Sequence, residues 1–368
     1  MHIRAAVLRE KGAPLVIEDV EMEDPRDDEV MVKVSHVGVC HTDISIQNQV
    51  FPTPLPVVLG HEGSGYVAKM GKSVRGFKEG DPVIMCYDSC GQCKFCRSGY
   101  PTYCELVTPL SFGCKRLDGT SPLRKGQEII WGNFFGQSSF ATYAMATTRN
   151  LVKLESDKGL EYFGPLGCGF NTGAGAVINA LKVGMGEDVA VFGIGSVGLC
   201  GIMAANLIGA GKIIAVDIVP EKLKLAQELG ATHIINSKET PNISQAIRDI
   251  VGPMGIQHIF DSTGIPALLR QGVEALTHMG RCATVGMSSL DTEISLNLMN
   301  LMTVGKHFMG VVEGNSVGQI FLPQLVGQFL KGKFPIDRLV TFYDFEKINE
   351  AIEDLHHGKV IKGILKIS

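Results

Sequence analysis

The first 150 residues alternate short apolar runs with turn residues. Runs that are rich in β-branched residues and bounded by Gly, Pro or Asp predict β-strands. The clearest of them cover residues 29–40 (EVMVKVSHVGVC), 64–71, 81–86 and 140–146. This part of the chain is therefore expected to be built from short strands that are broken by turns.

The pattern changes at about residue 186, where apolar strands begin to alternate with helices. Strands are predicted at 188–193, 212–217, 233–237, 256–264 and 281–286, and helices at 197–211, 220–231, 243–252 and 266–280. Near-continuous apolar strands between helices indicate a parallel sheet that is covered on both faces. Helices near 320–333 and 347–358 and a strand at 362–368 complete the chain. A chain of 368 residues is too long for one ordinary core, so two domains are expected.

Composition and charge exclude several classes of function. The formal net charge is -4, and nucleic-acid binders usually carry a basic stripe. The amino terminus has no apolar run of signal-peptide length, and residues 197–211 are broken by glycines and too short to span a bilayer. We expect a cytoplasmic protein with no nucleic-acid or membrane partner. In that reducing compartment the ten cysteines should be thiols or metal ligands.

A dinucleotide-binding motif lies at the start of the alternating region. Gly193, Gly195 and Gly198 form G-x-G-x-x-G between a predicted strand and a predicted helix. Asp217 ends the next strand, as the ribose-binding acid of this motif should. A carboxylate there opposes a 2′-phosphate, which favours NAD over NADP, and Lys222 could add a donor to the same ribose. A glycine-rich turn of another α/β protein is the alternative for the motif, and a solvated surface lysine is the alternative for Lys222.

Four cysteines lie in the polar loop 88–104 with the spacing C-x2-C-x2-C-x7-C. They are Cys90, Cys93, Cys96 and Cys104. A tetrahedral zinc site of four thiolates fits this spacing, whereas a ferredoxin-type cluster needs a third gap of x3 followed by Cys-Pro. A disulfide pair is disfavoured in the cytosol. Since four thiolates leave no open position, this zinc site should stabilise the fold and take no part in chemistry.

A second set of metal-binding residue types is spread over the first half of the chain. Cys40 lies in GVCHTD, His61 in LGHEGSG and Cys168 in PLGCGFNTG. Each could be an ordinary packed residue when it is considered alone. Together they supply three ligands and leave one position open, as a catalytic zinc site requires. Such a zinc ion would let a bound alcohol form an alkoxide near neutral pH, and the alkoxide could release hydride to a nicotinamide.

Polar residues next to these three ligands could support the zinc site and accept a proton. Asp43 and Glu62 are the carboxylates expected to support the zinc ligands, although surface acids are the alternative. Thr42 offers a hydroxyl that could take the proton of the substrate.

The order and the residues of these motifs resemble those of the zinc-dependent medium-chain alcohol dehydrogenase family. Within it the chain is most similar to the bacterial aryl-alcohol (benzyl alcohol) and geraniol dehydrogenases. The stretches CHTD, FFGQSSFATYA, GPLGCGFNTGAGAVINALKV and GVVEG carry that closer likeness. The resemblance implies a homodimer or homotetramer, without deciding between the two.

The resemblance also implies an α/β fold with two domains. The first is a partly open, GroES-like β-barrel catalytic domain over residues 1–169 and 313–368. The second, over 170–312, is a doubly wound parallel-sheet Rossmann domain of six strands that binds NAD.

Site residues follow from matching positions in the motifs. The catalytic zinc ligands would be Cys40, His61 and Cys168, with Glu62 able to approach the metal and Thr42 accepting the alcohol proton. Residues matched to NAD contacts, besides the glycines, are His41, Thr172, Val197, Asp217, Lys222 and Lys362. The chain departs from many members in having Ser45 where they carry a relay histidine, which leaves the exit route of the proton open.

Aromatic residues suggest the class of substrate. Tyr87, Phe112, Trp131, Phe134 and Phe140 lie in the region expected to wall the substrate cleft, although core aromatics are the alternative. We therefore expect a NAD-dependent dehydrogenase with two zinc ions per chain that oxidises a primary aromatic or allylic alcohol to the aldehyde. The same chemistry on S-hydroxymethylglutathione or a polyol is the nearest alternative. A zinc-binding protein without catalysis is disfavoured by the intact ligand set.

Overall fold

The computed structural model describes residues 1–367, which form two units. The first comprises Met1–Gly169, Val317–Lys331 and the segment from Ile336 onward. The second comprises Phe170–Ser316 and Gly332–Pro335.

Strands and helices follow one another along the chain with these bounds. Strands of the first unit before residue 170 are β1 (His2–Leu8), β2 (Val16–Met22), β3 (Glu29–Gly38), β4 (Val57–Val58), β5 (Glu62–Met70), β6 (Pro82–Met85), β7 (Leu123–Lys125), β8 (Glu128–Ile130), β9 (Tyr143–Thr147) and β10 (Leu151–Lys153). The second unit holds β11 (Val189–Phe192), β12 (Ile213–Asp217), β13 (His233–Asn236), β14 (Ile256–Asp261), β15 (Leu276–Thr284) and β16 (His307–Gly310). The last strands are β17 (Val340–Asp344) and β18 (Lys362–Lys366). The α-helices are α1 (His41–Gln47), α2 (Lys94–Arg97), α3 (Val107–Ser111), α4 (Gly169–Gly175), α5 (Ser196–Leu207), α6 (Pro220–Glu228), α7 (Ile243–Val251), α8 (Pro266–Ala275), α9 (Leu298–Val304), α10 (Gly318–Leu330) and α11 (Ile348–His356).

The first unit contains two sheets, as expected for a partly open barrel of the GroES-like kind. One has the strand order β4-β1-β2-β7-β8, and its neighbouring strands are antiparallel. The other has the order β10-β6-β5-β3-β18-β17, and β9 also pairs with β3. Strand β3 pairs with three other strands of this sheet, which are β5, β9 and β18. It ends two residues before Cys40, so the candidate ligand lies just beyond the carboxyl end of an inner strand.

The second unit confirms the Rossmann prediction. Its sheet is parallel and has the strand order β13-β12-β11-β14-β15-β16. Within the described residues this sheet has six strands, the number that the resemblance implies. Strand β11, which precedes the glycine motif, lies between β12 and β14 and is fully buried. Its aromatic residue Phe192 and Phe260 of β14 are completely buried in the core.

The largest boundary difference from the prediction lies between a helix and the strand that follows it. The helix predicted over 266–280 ends at Ala275, and β15 begins at Leu276 rather than at Arg281. Leu276 is 3% exposed and pairs with Ile256 before a bulge shifts the register. Tertiary pairing thus overrides the helical pattern in the last turn.

Among the described residues, no helix combines the length and the apolar character needed to cross a lipid bilayer.

Candidate active site and metal centres

Four side chains that are distant in sequence converge in the first unit. One ligand atom from each of Cys40, His61, Glu62 and Cys168 lies within 4.8 Å of the others. Cys40 caps the start of α1, His61 directly precedes β5, and Cys168 directly precedes α4. All except the half-buried Cys40 are buried. The structure thus brings together the three residues predicted to hold a catalytic metal ion.

Two glycines allow this convergence, because a Cβ at either position would collide with a neighbouring segment. A Cβ at Gly38, the last residue of β3, would lie 2.0 Å from Glu62 Oε2. A Cβ at Gly167, beside Cys168, would lie 2.0 Å from the carbonyl oxygen of Met85. Any larger residue at either position would push a ligand-bearing segment away.

Asp43 lies behind His61 and fixes its orientation. Its Oδ1 is 3.0 Å from His61 Nδ1 and accepts a hydrogen bond of 3.1 Å from the Gly60 amide. Its Oδ2 accepts a hydrogen bond of 3.1 Å from the Cys40 amide. Asp43 is 2% exposed, so it is not a surface acid. A carboxylate at Nδ1 leaves Nε2 as the nitrogen available to a metal ion.

The unsatisfied atoms of this cluster fit a divalent cation. His61 Nε2 is buried and has no hydrogen-bond partner within the described chain. Burial lowers the pKa of His61, but the Asp43 carboxylate and the Cys40 thiol outweigh it and raise that pKa well above its ordinary value. A hydrogen bond from Cys168, together with the nearby His61, lowers the pKa of Cys40, although desolvation opposes that shift. A thiol of lowered pKa and a buried ring nitrogen without a partner are donors that a zinc ion binds, so this cluster fits that metal.

Lys362 occupies a place that the sequence did not suggest. Its Nζ lies 2.9 Å from both Oε1 and Oε2 of Glu62 and donates to the carbonyl oxygen of Val39 at 3.1 Å. Lys362 is 2% exposed and Glu62 is fully buried. Burial raises the pKa of Glu62 to about 7, although the Lys362 ammonium opposes that shift. The lysine that the motif match assigned to the cofactor thus pairs with a carboxylate beside the metal ligands.

The residues considered for proton transfer lie on α1. Thr42 Oγ1 is 3.6 Å from Cys40 Sγ, and Thr42 is half-buried. Ser45 is also half-buried, one turn further along, while His41 at the helix start is exposed. Thr42 is thus the hydroxyl that the structure places beside a candidate metal ligand.

An aromatic cluster covers one side of His61. The Phe135 ring is 4.6 Å from the His61 ring at an interplanar angle of 30°, and the Phe134 ring is 5.4 Å away at 84°. Phe112 packs on both phenylalanines, and Phe51 packs on Phe112 at 5.6 Å. We use "aromatic cluster" for Phe51, Phe112, Phe134 and Phe135.

The aromatic cluster agrees only in part with the predicted cleft wall. Phe112 and Phe134 belong to it, whereas Phe140 is a core residue whose backbone packs on Gly60. Tyr87 is also buried, and Trp131 lies beneath the Lys115 ammonium at 5.7 Å. Sequence reasoning missed Phe51 and Phe135, although the paired phenylalanines in FFG were a visible signal.

The four-cysteine loop forms a second, closed cluster. Ligand atoms of Cys90, Cys93, Cys96 and Cys104 lie within 4.8 Å of one another, and Cys93 Sγ is 3.5 Å from Cys96 Sγ. These separations suit thiolates around one tetrahedral zinc ion and exceed a disulfide bond length.

Backbone amides around this loop favour bound thiolates. The Cys96 and Glu105 amides lower the pKa of Cys93 to about 6. The amides of Gln92 and Cys93 likewise lower the pKa of Cys90. Burial and the neighbouring thiols raise the pKa of Cys96 to about 12. Four sulfur donors already fill a tetrahedral shell, so this loop offers a structural metal site without an open position.

In the glycine motif of the second unit, one glycine lies where two backbone segments meet and another lies beside open space. A Cβ at Gly198 would lie 1.9 Å from the Gly193 carbonyl oxygen, so helix and turn can meet only through glycine. A Cβ at Gly195 would meet nothing within 4 Å, which leaves open space above the backbone where a pyrophosphate could approach. Asp217 Oδ2 accepts a hydrogen bond of 2.6 Å from the Ile194 amide. This acid therefore also fixes the glycine turn.

The remaining predicted cofactor residues are half-buried residues of the second unit. They are Thr172 on α4, Val197 on α5 and Lys222 on α6. The Val197 carbonyl lies so close to Gly173 that a Cβ there would be 2.0 Å from its oxygen. Sequence reasoning did not single out Asn171 and Glu313, which contact one another near Thr172.

Two family descriptions match the chain. "Alcohol dehydrogenase GroES-like domain" matches residues 26–156, and "Zinc-binding dehydrogenase" matches residues 196–327. The geraniol dehydrogenase of Castellaniella defragrans is 40% identical over 363 residues, covering 98% of this chain and 97% of the relative.

Two further proteins are similar along their whole length. An S-(hydroxymethyl)glutathione dehydrogenase of Synechocystis is 37% identical over 370 residues, covering 99% of this chain and 100% of the relative. The crystal structure of benzyl alcohol dehydrogenase from Acinetobacter calcoaceticus superposes with a TM-score of 0.96 at 43% identity and covers 100% of both chains.

Proposed function

The chain belongs to the zinc-dependent medium-chain alcohol dehydrogenase family, and we propose that it oxidises a primary aromatic or allylic alcohol to the aldehyde with NAD. Benzyl alcohol and geraniol are the model substrates, because a geraniol dehydrogenase and a benzyl alcohol dehydrogenase are similar over the whole chain.

The aromatic cluster beside His61 is the observation that carries the choice of substrate. Phe134 and Phe135 place uncharged rings 5.4 and 4.6 Å from the ring of His61, a candidate metal ligand, and Phe112 packs on both phenylalanines. An aryl or prenyl group next to a reacting hydroxyl would gain both apolar burial and ring contacts there. A polyol would have to leave several hydroxyls without partners against the same surface.

Each residue of the metal cluster has a proposed role. Cys40, His61 and Cys168 would hold the catalytic zinc ion, Asp43 would keep His61 in the tautomer that presents Nε2, and Thr42 would accept the proton of the alcohol. When bound there, zinc lowers the pKa of the alcohol hydroxyl, and NAD accepts the hydride. Lys362 would hold Glu62 in place beside the ligands. The four-cysteine loop would hold a structural zinc ion.

The cofactor is proposed to be NAD rather than NADP. Asp217 at the end of β12 supports this choice, since a carboxylate accepts ribose hydrogen bonds and repels a 2′-phosphate. Gly193, Gly195 and Gly198 would carry the pyrophosphate at the start of α5. His41, Val197, Thr172 and Lys222 keep their predicted roles at the cofactor.

S-hydroxymethylglutathione is the second candidate substrate, since a dehydrogenase with that name is 37% identical. Its glutathione part carries carboxylates, which call for basic partners at the binding site. The aromatic cluster contains only phenylalanines, so it favours the apolar alcohols.

A substrate panel with NAD tests the proposal. Initial rates of NADH formation would be measured for benzyl alcohol, geraniol, S-hydroxymethylglutathione and sorbitol with the zinc-loaded protein. We expect kcat/KM for benzyl alcohol or geraniol to exceed the other two values at least about tenfold, as burial of one aryl or prenyl group allows. A preference for S-hydroxymethylglutathione would contradict the proposal.

Other predictions from the sequence remain part of this proposal. They are the catalytic domain over 1–169 and 313–368, the NAD domain over 170–312, the homodimer or homotetramer and the cytoplasmic location.

A further inference from the structure

The turn after the last strand of the parallel sheet holds an unusual acidic residue. Glu313 follows β16 by three positions, is 8% exposed and has a φ of +48°. A residue other than glycine is rarely found in this left-handed region, and the conformation costs free energy. Glycine would relieve this strain, so the presence of a buried acid at this position points to a role for its side chain.

Glu313 is held against α4 by several hydrogen bonds. Its carbonyl oxygen accepts from Asn171 Nδ2 at 3.0 Å and from Ser316 Oγ at 2.9 Å. Its carboxylate Oε2 lies 3.5 Å from Thr172 Oγ1. The next residue, Gly314, accepts from Asn179 Nδ2 at 3.1 Å. The turn therefore fixes the Glu313 carboxylate beside the Thr172 hydroxyl.

An unsatisfied acceptor lies beside this pair. Asn171 is completely buried, and its Oδ1 has no hydrogen-bond partner within residues 1–367. Since its Nδ2 already donates to Glu313, the amide is oriented and Oδ1 is the atom that remains. A buried acceptor without a donor is costly unless a ligand or water supplies one.

Hydrogen bonds along the carboxyl edge of the sheet connect the glycine motif to this turn. The Gly193 carbonyl accepts from Ser262 Oγ at 2.9 Å, and the adjacent Asp261 Oδ2 accepts from Thr284 Oγ1 at 2.9 Å. The Val311 amide donates to the Thr284 carbonyl at 2.9 Å. This row runs across β11, β14 and β15 to the residues just before Glu313.

The position of the row indicates which half of a dinucleotide would meet Glu313. Dinucleotides lie along the carboxyl edge of such sheets, with the pyrophosphate at the glycine motif. Asp217 marks the adenosine side at β12, and Glu313 lies on the opposite side of the motif. The nicotinamide half would therefore extend toward Glu313 and Thr172.

We propose that Glu313 is a cofactor-positioning residue whose carboxylate, together with Thr172, favours the oxidised nicotinamide ring over the reduced ring. The ring carries a positive charge in NAD⁺ and none in NADH, so a nearby carboxylate stabilises only the oxidised form. This inference rests on the proposed function, because it requires a nicotinamide dinucleotide as cofactor.

Dissociation constants measured by calorimetry on the zinc-loaded protein test the proposal. Glu313→Gln should raise the ratio of the NAD⁺ constant to the NADH constant at least about threefold, because it removes one negative charge near the ring. The constant for ADP-ribose, which lacks the ring, should change by less than about twofold. A smaller change in the ratio, or an equal weakening of all three ligands, would overturn the proposal.

Two further variants separate charge from folding. Glu313→Gly suits the left-handed backbone, so it should reproduce the altered ratio without a lower melting temperature. Glu239→Gln removes an exposed carboxylate from the same unit and should leave the ratio unchanged. If the unmodified protein bound neither NAD⁺ nor NADH, the proposed function itself would fail.

Discussion

Lys362 and Glu62 form an ion pair in the interior, with Nζ 2.9 Å from each carboxylate oxygen and neither side chain more than 2% exposed. The two residues are 300 positions apart and belong to β18 and β5. Since Glu62 begins β5 and follows His61 directly, the pair fixes the start of the strand next to a candidate metal ligand. The two carboxylate oxygens and the Val39 carbonyl oxygen give the buried ammonium three hydrogen-bond acceptors, which compensate for its loss of water.

Lys362→Met should therefore destabilise the protein by leaving Glu62 buried without a cation. Removal of one partner of a buried pair costs about 3–5 kcal/mol in the free energy of unfolding. The double variant Glu62→Gln/Lys362→Met should recover part of this loss, because no buried charge remains. Urea unfolding of the zinc-loaded proteins, followed by circular dichroism, measures these free energies.

A matched control for the ion pair is available at the surface. Lys69→Met breaks the Lys69–Asp24 pair, whose side chains are 50% and 74% exposed, and should change stability little. Equal effects of Lys69→Met and Lys362→Met would show that the buried pair has no special importance.

The two cysteine clusters should respond differently to loss of one ligand. Cys40→Ser should abolish turnover and reduce the zinc content from two ions to one while the melting temperature changes little. Cys104→Ser should also remove one zinc ion but lower the melting temperature by at least about 5 °C, since metal binding there contributes to folding. Metal analysis, differential scanning calorimetry and NADH formation measure the three effects. Near-normal turnover in Cys40→Ser would contradict the assignment of the catalytic site.

The parts of the structure that follow a local pattern could be predicted from the sequence. The alternation of apolar strands and helices from residue 188 onward identified the parallel sheet, because buried strands and helices have distinct periods. The helix end at Ala275 was missed, since only the pairing of Leu276 with Ile256 decides it.

Long-range partners could not be predicted in the same way. The ligand residue types at Cys40, His61 and Cys168 were visible, and motif order suggested that they meet. The Lys362–Glu62 pair joins two strands that are far apart in the sequence, and the hydrophobic pattern of neither strand indicates the pairing. Phe135 was missed for a similar reason, because its contact with His61 depends on a left-handed turn at φ +51°.

Asp217 should determine the choice between NAD and NADP. Its carboxylate also accepts hydrogen bonds from the Ile194, Ile218 and Val219 amides at 2.6–2.9 Å, so complete removal would loosen the glycine turn. Asp217→Asn keeps the shape and removes the charge. It should raise kcat/KM for NADP relative to NAD at least about tenfold, since a hydrogen bond to a charged group is worth about 1.5–3 kcal/mol. Steady-state kinetics with both cofactors would detect this, and an unchanged ratio would refute the role.

Phe135 should contribute to recognition of aromatic alcohols. Phe135→Ala removes the ring that stacks on His61 and should lower kcat/KM for benzyl alcohol at least about tenfold, whereas ethanol should lose less than about threefold. Phe345→Ala is a control of the same size in the first unit, away from the aromatic cluster, and should not discriminate between the two alcohols. Parallel losses for both alcohols in Phe135→Ala would indicate a packing defect instead of substrate recognition.

Thr42, rather than Ser45, should take the proton from the alcohol. Thr42 Oγ1 lies 3.6 Å from Cys40 Sγ, whereas Ser45 is one helical turn further along α1 than Thr42. A serine hydroxyl does not titrate near neutral pH, so Ser45 cannot replace the missing relay histidine as a terminal base. Because general acid–base groups contribute about 10²–10⁴-fold, Thr42→Ala should lower kcat for benzyl alcohol at least about tenfold. Ser45→Ala should change it by less than about threefold.

Thr42→Ser provides the matched control for the proton acceptor, because it keeps the hydroxyl and should retain most of the activity. Steady-state rates at saturating NAD, with a solvent isotope effect to show that proton transfer is observed, measure all three variants. If Ser45→Ala lost as much activity as Thr42→Ala, Ser45 would belong to the relay. The proton would then leave along α1 toward residue 45, and the hydroxyl of Thr42 would be only its first acceptor.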